Sequence, residues 1–587
     1  MITKMLTQQT GLMACALAAL LLIAPGCERP DWESAEYVAA QLTEGDDRQK
    51  REALGVVRNF EDDAEARPIL AAALSEVYLG SPSLRDDVMR HLIQWREAAA
   101  APAYVEEMKE NHTGAAEHAA ENLGIVESRD SIPAMVEAFA ATGNDERRDG
   151  ILRGLKRMPD PSVVEVGLEV LALDPDNHRI SMHSHTCDMF GELALAHPDA
   201  ITDEVIAAVI RAVFLSDEVG RMIAGECRLA LQKIGPKAIP HMVELFNQEN
   251  EAVERLLMTY EQSTDNFQFP FNRAKQEAVV MLTVMRAPEA VELFIEDFAE
   301  EKSPPENYTG QRRLSWIRME GASISEMLFG LGDLGDPAAR PVLEAALRGE
   351  QVNGPWSDIT DDMVDFEFRQ NAARALAHLG DREARPALMR AARADVIPTM
   401  ERRFRAMAQQ AGEELPETER YRPQWQAARA FAMLATADDR EAFQELVDAQ
   451  EEGGLKERLE SFLAAFDVMD ECSQDDAEAK AQCLAQFLTH DAEAARFKAG
   501  YELGHLPAEA AGPVIAENLS TRDLEIREVL AFSAYRSATP AIAEAAGEQW
   551  RADESRSASE YRLDRIRLQM LEAYLKRDGG EAAVAEE

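Results

Sequence analysis

Aromatic residues are scarce in this sequence: they make up 6% of its 587 residues, whereas apolar residues as a whole make up 46%. A composition rich in Ala, Leu, Glu and Arg favours helices and leaves little for a β-sandwich core. Basic residues are also few, with 61 Lys plus Arg against 107 Asp plus Glu and a net charge of -46. Because this charge repels phosphate backbones, we expect no nucleic-acid partner. The acidity is typical of a solvated, soluble surface.

Catalytic and cofactor motifs are missing as well. The sequence has no G-x-x-x-x-G-K-[ST], no G-x-S-x-G and no H-E-x-x-H. Its one glycine fingerprint, Gly330 to Gly335, matches the G-x-G-x-x-G of dinucleotide-binding turns, which require a preceding β-strand. Ile324, Leu328 and Leu331 recur at helical spacing through this stretch instead. We therefore predict that the glycines lie within and at the end of a helix, and that the chain is not an enzyme and holds no cofactor.

The single long apolar run, Leu12 to Ala24, is too short to span a bilayer comfortably and follows one cationic residue, Lys4. This layout is typical of a secretory signal. The end of the run, Ile23-Ala24-Pro25-Gly26-Cys27, resembles a bacterial lipobox, although Ala24 stands where Leu is usual.

That resemblance implies a signal peptide at residues 1–26, lipidation of Cys27 and a short tether at residues 27–34. Glu28, by its resemblance to enterobacterial sorting signals, favours the periplasmic side of the outer membrane. The alternative is ordinary cleavage and a free periplasmic protein. Mass spectrometry of the mature N-terminus distinguishes the two.

Four cysteines follow the signal, and none forms a C-x-x-C or a zinc-type pair. Cys472 and Cys483 bracket a short acidic turn, which is compatible with a local disulfide. Cys187 and Cys227 fall in neighbouring repeats, where helix axes are about 8–10 Å apart. We therefore expect this second pair to be buried free thiols.

One pattern recurs along the chain: an amphipathic helix ending in Leu-Gly, an acidic turn, and a second helix with proline in its first turn. The clearest copy runs from Glu326 to Leu347, where Gly335 ends the first helix and Pro341 begins the second. Proline is tolerated there because the first helical N–H groups have no intrahelical partner. Looser copies carry Pro68, Pro102, Pro133, Pro161, Pro198, Pro240, Pro288, Pro386, Pro513 and Pro540.

These copies together resemble the HEAT and PBS-lyase-type HEAT-like repeats, from about Ala35 to Arg567. The resemblance implies an all-α fold, an α-solenoid of roughly 11–13 stacked helical hairpins, in which each repeat buries its apolar stripe against its neighbours. We predict regular repeats at residues 35–250, repeats with long insertions at 251–425, regular repeats again at 426–570 and an acidic, disordered tail at 571–587.

The insertions are Thr259 to Arg273, Lys302 to Arg318, Gln351 to Phe368 and Val396 to Trp425. Since insertions at equivalent points of successive repeats emerge on one side of a solenoid, we expect them to cluster. They hold aromatic and arginine residues, the types that dominate binding energy at protein interfaces. The alternative is that the aromatics anchor long loops and the arginines neutralise carboxylates. The partner-binding candidates are Phe269, Tyr308, Arg312, Arg313, Trp316, Trp356, Arg402 and Arg403.

A weaker candidate site is NHRISMHSHTCDMF, where His183, His185 and Cys187 offer zinc or copper ligands. On a helix His185 points away from the other two. Cys187 also shares the apolar stripe of Ile180 and Phe190, so we expect repeat-helix residues without a metal.

The sequence therefore predicts a non-catalytic, protein-binding scaffold of the bacterial cell envelope. The alternative is an accessory subunit of an envelope enzyme or of a lyase-like system, since phycobilin lyases use related repeats.

Overall fold

A computed structural model describes residues 31–519 except 218–221, 264–269, 305, 307, 351–363, 395–404, 407, 410–411 and 413–419, together with short stretches between 529 and 546. Within this part of the chain there is no β-strand, and one isolated antiparallel bridge joins Ser216 to Met222. The chain divides into unit 1, residues 1–166, and unit 2, residues 167–587. The predicted all-α fold of stacked hairpins is confirmed.

Unit 1 is a run of short helices, several of which are connected by a single 3-10 turn. Its helices are α1 (Ala35–Glu44), α2 (Asp47–Val57), α3 (Ala66–Gly80), α4 (Arg85–Trp95), α5 (Ala101–Glu110), α6 (Ala116–Ile125), α7 (Ile132–Ala141), α8 (Asp145–Leu155) and the start of α9 (Val164–Ala172).

Unit 2 contains the remaining helices, among them α17, the longest of the described residues. They are α10 (Ile180–Ala196), α11 (Asp203–Val213), α12 (Ala224–Ile234), α13 (Ile239–Phe246), α14 (Glu251–Ser263), α15 (Pro270–Val284), α16 (Ala290–Ala299), α17 (Gly310–Leu334), α18 (Arg340–Arg348), α19 (Val364–Leu379), α20 (Arg385–Ala392), α21 (Arg422–Leu434), α22 (Arg440–Asp448), α23 (Gly454–Ser461), α24 (Ala464–Glu471), α25 (Ala477–Phe487), α26 (Glu493–Leu503) and α27 (Ala508–Asn518). No helix in the described residues is both long enough and apolar enough to cross a bilayer.

The predicted hairpin turn forms as its residues require. Gly335 follows the last residue of α17 with φ 75°, the left-handed conformation that glycine adopts without a steric penalty. The Asp336 carboxylate then accepts a hydrogen bond from the Ala338 N–H at 2.8 Å and caps a 3-10 turn. Pro341 occupies the first turn of α18, as expected.

The first helices of successive hairpins approach each other through glycine. A β-carbon at Gly332 of α17 would lie 2.6 Å from the carbonyl oxygen of Ala375 in α19. In unit 1, a β-carbon at Gly124 of α6 would lie 2.5 Å from the α-carbon of Gly154 in α8. These helices contact each other backbone to backbone, so the glycines set the spacing between repeats.

Arginines at the start of the second helices pair with carboxylates of the next repeat. The pairs are Arg340 with Asp381 and Glu383, Arg385 with Asp439, and Arg440 with Asp467 and Asp470. Ion pairs that are partly exposed are screened by solvent and contribute little to stability. These pairs therefore determine the register between successive repeats and add little to their stability.

The expectation of free thiols at Cys187 and Cys227 is wrong, because the two residues form a disulfide with Cα atoms 4.9 Å apart. The expected helix spacing is too large here. A β-carbon at Gly191 of α10 would lie 3.2 Å from the Ala230 α-carbon of α12, so small residues let these two helices come close enough for the bridge. The local disulfide considered for Cys472 and Cys483 is present, with Cα atoms 5.6 Å apart.

Candidate functional site

The N-terminal end of α17 stands at the edge from which the insertions leave. Close contacts set the register of its neighbours: Gly330 lies beside Thr283 of α15, and Gly332 beside Ala375 of α19. Because these helices run in the same direction, the contacts give their relative register. The first residue of α15 lies beside position 317 of α17, and the first residue of α19 lies beside position 321. Residues 310–316 therefore extend beyond the start of both neighbouring first helices, by about 10 Å at 1.5 Å per residue.

This end of α17, residues 310–319, is called the α17 tip below. It contains Arg312, Arg313 and Arg318 and no acidic residue, in a chain whose net charge is -46. Leu314 is 44% exposed, which makes it one of the few large apolar side chains at the surface of the described residues. Arg318 is exposed, and Trp316 and Arg313 are half-buried. The α17 tip thus combines positive charge with accessible apolar surface.

Buried ions connect the insertion before α17 to the helices beneath it. Lys302, in the insertion, donates to Asp297 of α16 at 3.0 Å, and Lys275 of α15 donates to the same carboxylate oxygen. Glu320 of α17 lies 3.8 Å from the Lys275 ammonium. All four side chains are at least nine-tenths buried. Because removal of one partner would leave an uncompensated buried charge, this cluster holds the insertion firmly at its first residue.

Glu320 is the member of the cluster whose buried charge is least stabilised by the neighbouring ammonium groups. Burial raises its pKa above the ordinary value of 4.5, and the ammonium groups of Lys275 and Lys302 only partly oppose this effect. The folded chain therefore holds a proton that the unfolded chain releases above pH 4.5. This contribution to stability is complete below the unfolded pKa and is lost as the pH rises through the raised folded value.

Glu320→Gln, which stays neutral, is expected to remove that dependence. The melting temperature of the variant should improve relative to wild type as the pH rises from about 4.5 to 7.5. The change in unfolding free energy is about 1.4 kcal/mol for each unit by which the folded pKa exceeds the ordinary one. Thermal melts across this pH range check it. A constant difference between the two proteins would contradict the assignment, and Glu344→Gln, on α18 outside the cluster, serves as the control.

Among the aromatic residues of the insertions, some are buried anchors, some lie outside the described part of the chain, and Trp316 is half-buried. Tyr308 is 8% exposed and Trp425 9% exposed, so both fasten the ends of insertions onto the helices. Phe368, at the end of a third insertion, is 2% exposed and does the same. Phe269, Trp356, Arg402 and Arg403, and the side chain of Arg312, lie outside the described residues. Of the eight candidates, Trp316 and Arg313 are therefore the two that the structure places at a partly open position.

The weak metal candidate loses its sulfur ligand, because Cys187 is bound to Cys227. The buried His183 ring places Nε2 3.1 Å from the carbonyl oxygen of Leu173. Burial lowers the pKa of this imidazole, and the bond to Leu173 partly opposes the shift. Among the described residues, no three His, Cys, Asp or Glu side chains are grouped as around a metal ion.

The glycine fingerprint belongs to the repeat, as predicted. Gly330 and Gly332 lie inside α17, and Gly335 ends it. Ile324, Leu328 and Leu331 are fully buried.

Sequence reasoning missed the buried lysines. Lys275 is separated by three and four residues from the buried Ala278 and Val279 of α15, so it occupies a position on the apolar face. A lysine on the apolar face of a helix indicates a buried ion pair, since buried lysines require a charged partner.

Comparison with known proteins agrees with the hairpins described above. The PBS lyase HEAT-like repeat family matches residues 325–349 and 368–393, which cover the C-terminal part of α17 with α18 and most of α19 with α20. No curated protein matches the sequence significantly.

Several solved structures are similar over nearly the whole chain. A chain from a structure on Kap95p binding and RanGDP has 11% identity and a TM-score of 0.38, over 96% of this chain and 81% of that chain. Importin beta has 11% identity and a TM-score of 0.34, over 93% and 67%. Kap121p has 11% identity and a TM-score of 0.23, over 93% and 68%. The described helices thus form an all-α solenoid of HEAT-like hairpins, two of which match the PBS lyase HEAT-like repeat family.

Proposed function

We propose that this protein is a non-catalytic scaffold that binds another protein through the α17 tip and the insertions beside it. The observation that carries the proposal is the charge of the tip, which has three arginines and no carboxylate in a chain of net charge -46. Arginine beside accessible apolar surface is typical of the residues that supply most of the binding energy at interfaces.

The location of the tip also favours binding. Lys302 and Tyr308 hold the preceding insertion at both of its ends, so the tip projects from a fixed base. A preorganised surface loses less conformational entropy on association than a flexible one. The opposite charge of the rest of the chain directs an acidic patch of the partner towards this edge.

The cell envelope is the proposed location, with the chain anchored by lipid on Cys27. Two disulfides support export, because such bonds persist in oxidising compartments and are rare in the cytosol. A mature N-terminus found by mass spectrometry to start at Cys27 with diacylglycerol attached would agree with this, and an unmodified N-terminus elsewhere would contradict it.

The second candidate function is an accessory role in a lyase-like or other envelope enzyme system. The match to PBS lyase HEAT-like repeats is the observation that favours it. A bilin-type ligand would give the purified protein absorbance beyond the aromatic band, whereas the scaffold proposal expects none.

The binding proposal is tested by reversing the charge of the tip. Arg313→Glu combined with Arg318→Glu is expected to reduce partner recovery about tenfold or more in affinity capture from envelope extracts. Arg48→Glu combined with Arg90→Glu is the matched control, since these side chains are 86% and 71% exposed and the net charge changes equally.

Three results would reject the tip as the binding surface. The first is equal loss of partner in the two charge-reversal variants. The second is loss in neither. The third is unchanged recovery after alanine replacement of Arg312, Trp316 and Trp356 together.

A further inference from the structure

Helix α26 contacts the C-terminal ends of two earlier first helices, α19 and α21. The Tyr501 hydroxyl donates to the Ala377 carbonyl in the last turn of α19 at 2.6 Å. The Lys498 ammonium donates to the carbonyls of Met433 and Ala435 at the end of α21, the latter at 3.0 Å. Carbonyls at the end of a helix have no intrahelical donor, and Lys498 supplies donors to those at the end of α21. The Ala377 carbonyl also accepts a hydrogen bond from the Gly380 N–H at 3.2 Å, so Tyr501 adds a second donor there.

Lys498 is completely buried and uses its full hydrogen-bonding capacity. Besides the two carbonyls, its ammonium lies 2.6 Å from the Glu502 carboxylate, one turn further along α26. Three acceptors therefore face the three N–H donors of the ammonium. The charge also lies at the negative end of the α21 helix dipole, which stabilises a cation there. Without these groups a lysine could not stay buried and charged.

The helices around α26 form a block with its own core. Buried apolar residues from Val468 to Ala546 make up one cluster, which includes the fully buried Leu484, Leu503 and Ile515. The disulfide between Cys472 and Cys483 fastens the end of α24 to α25 inside the block. We call α24 to α27 and the described residues up to 546 the C-terminal block. A separate core and an internal crosslink allow it to move as one body.

The joint between the C-terminal block and α21 has an apolar side and a polar side. On the apolar side the ring of Phe466 in α24 packs on Phe443 of α22, with centroids 5.3 Å apart. On the polar side Glu493 of α26 lies 3.7 Å from Arg429 and 3.5 Å from Arg458. Lys498 and Tyr501 belong to the same polar side.

We propose that the C-terminal block rotates about the Phe443–Phe466 contact and that the hydrogen bonds of Lys498 hold it closed against α19 and α21. The regular stack is held by backbone contacts such as Gly332 against Ala375, which nothing replaces when helices separate. At the polar side each charged group and the Tyr501 hydroxyl can exchange its hydrogen-bond partner for water, so opening costs less than a local hydrogen-bond count suggests. Opening uncovers the ends of α19 and α21, which gives the solenoid a second conformation at this joint.

The test measures the distance between α20 and α27 in the full chain. Spin labels carried by unnatural amino acids at Arg390 and Glu509, both exposed, report it by pulsed electron–electron resonance. Lys498→Met is expected to increase the ratio of open to closed molecules by about 100-fold, because it leaves two carbonyls and a carboxylate without their donor. Tyr501→Phe, which loses one hydrogen bond, should increase it by about fivefold.

Lys456→Met is the control. Lys456 of α23 pairs with the exposed carboxylate of Glu452 at 2.6 Å, so this variant should leave the distance distribution unchanged. An unchanged distance in the Lys498 and Tyr501 variants overturns the proposal. A featureless distribution with lost helical circular dichroism in Tyr501→Phe also overturns it, because the block would then unfold instead of opening. Should Lys498→Met fail to fold, Tyr501→Phe alone decides.

Discussion

Alanine at position 332 is expected to destabilise unit 2 by about 2–3 kcal/mol, although glycine-to-alanine changes within helices usually stabilise. The new β-carbon would lie 2.6 Å from the carbonyl oxygen and 2.8 Å from the α-carbon of Ala375. Both atoms belong to the backbone of α19, so no side chain can rotate away. The two helices must separate, and the buried contact between α17 and α19 loses its packing along several turns.

The matched control is Gly225→Ala in α12, which belongs to the same unit and has no atom within 4 Å of the added carbon. Its unfolding free energy should change by less than about 1 kcal/mol, in the stabilising direction. Urea titrations of the two variants beside wild type measure both effects. Equal effects of the two substitutions would show that Gly332 is not a packing residue. Added dinucleotide should leave all three curves in place, which separates the packing hypothesis from the cofactor interpretation of the fingerprint.

The turn around Gly335 was predictable from sequence because its causes are local. The left-handed conformation favours glycine, the Asp336 carboxylate caps the 3-10 turn, and a helical first turn tolerates Pro341. Each preference acts over a few residues. Accumulated along the chain, they are sufficient to predict hairpins and hence the all-α solenoid.

The disulfide of Cys187 and Cys227 shows where such reasoning ends. Whether two cysteines meet depends on the separation of α10 and α12, and that separation is set by Gly191 against Ala230. No local pattern joins residues so far apart in the chain. A typical interhelical distance therefore predicts free thiols, whereas the small residues Gly191 and Ala230 bring the two helices close enough for a disulfide.

The residue types of the candidate site could be predicted from the sequence, but which of its side chains are exposed could not. Aromatic side chains in loops are compatible with both binding and anchoring, and burial decides between them: Tyr308 and Trp425 are anchors. Lys498 is less predictable still. Its two carbonyl acceptors lie at the end of α21, five helices earlier in the chain, and only the position of the C-terminal block brings them to the lysine.

Loss of the buried disulfide is the second large effect expected. The double substitution Cys187→Ala with Cys227→Ala should lower the unfolding free energy of unit 2 by about 4 kcal/mol, because the bridge closes a long loop in the unfolded chain. The two residues are 40 positions apart and fully buried. The corresponding substitution of Cys472 and Cys483, only 11 positions apart, should cost about 3 kcal/mol by the same relation.

Comparison of the two double variants separates chain entropy from packing. Alanine leaves a cavity at the fully buried pair, whereas Cys483 is only half-buried, so the measured difference should exceed the entropic one. Thiol alkylation of the unreduced, denatured protein must first find none of the four cysteines free. A reactive thiol at Cys187 would restore the original expectation. Equal stability of wild type and the first double variant would mean that Gly191 and Ala230 alone hold α10 against α12.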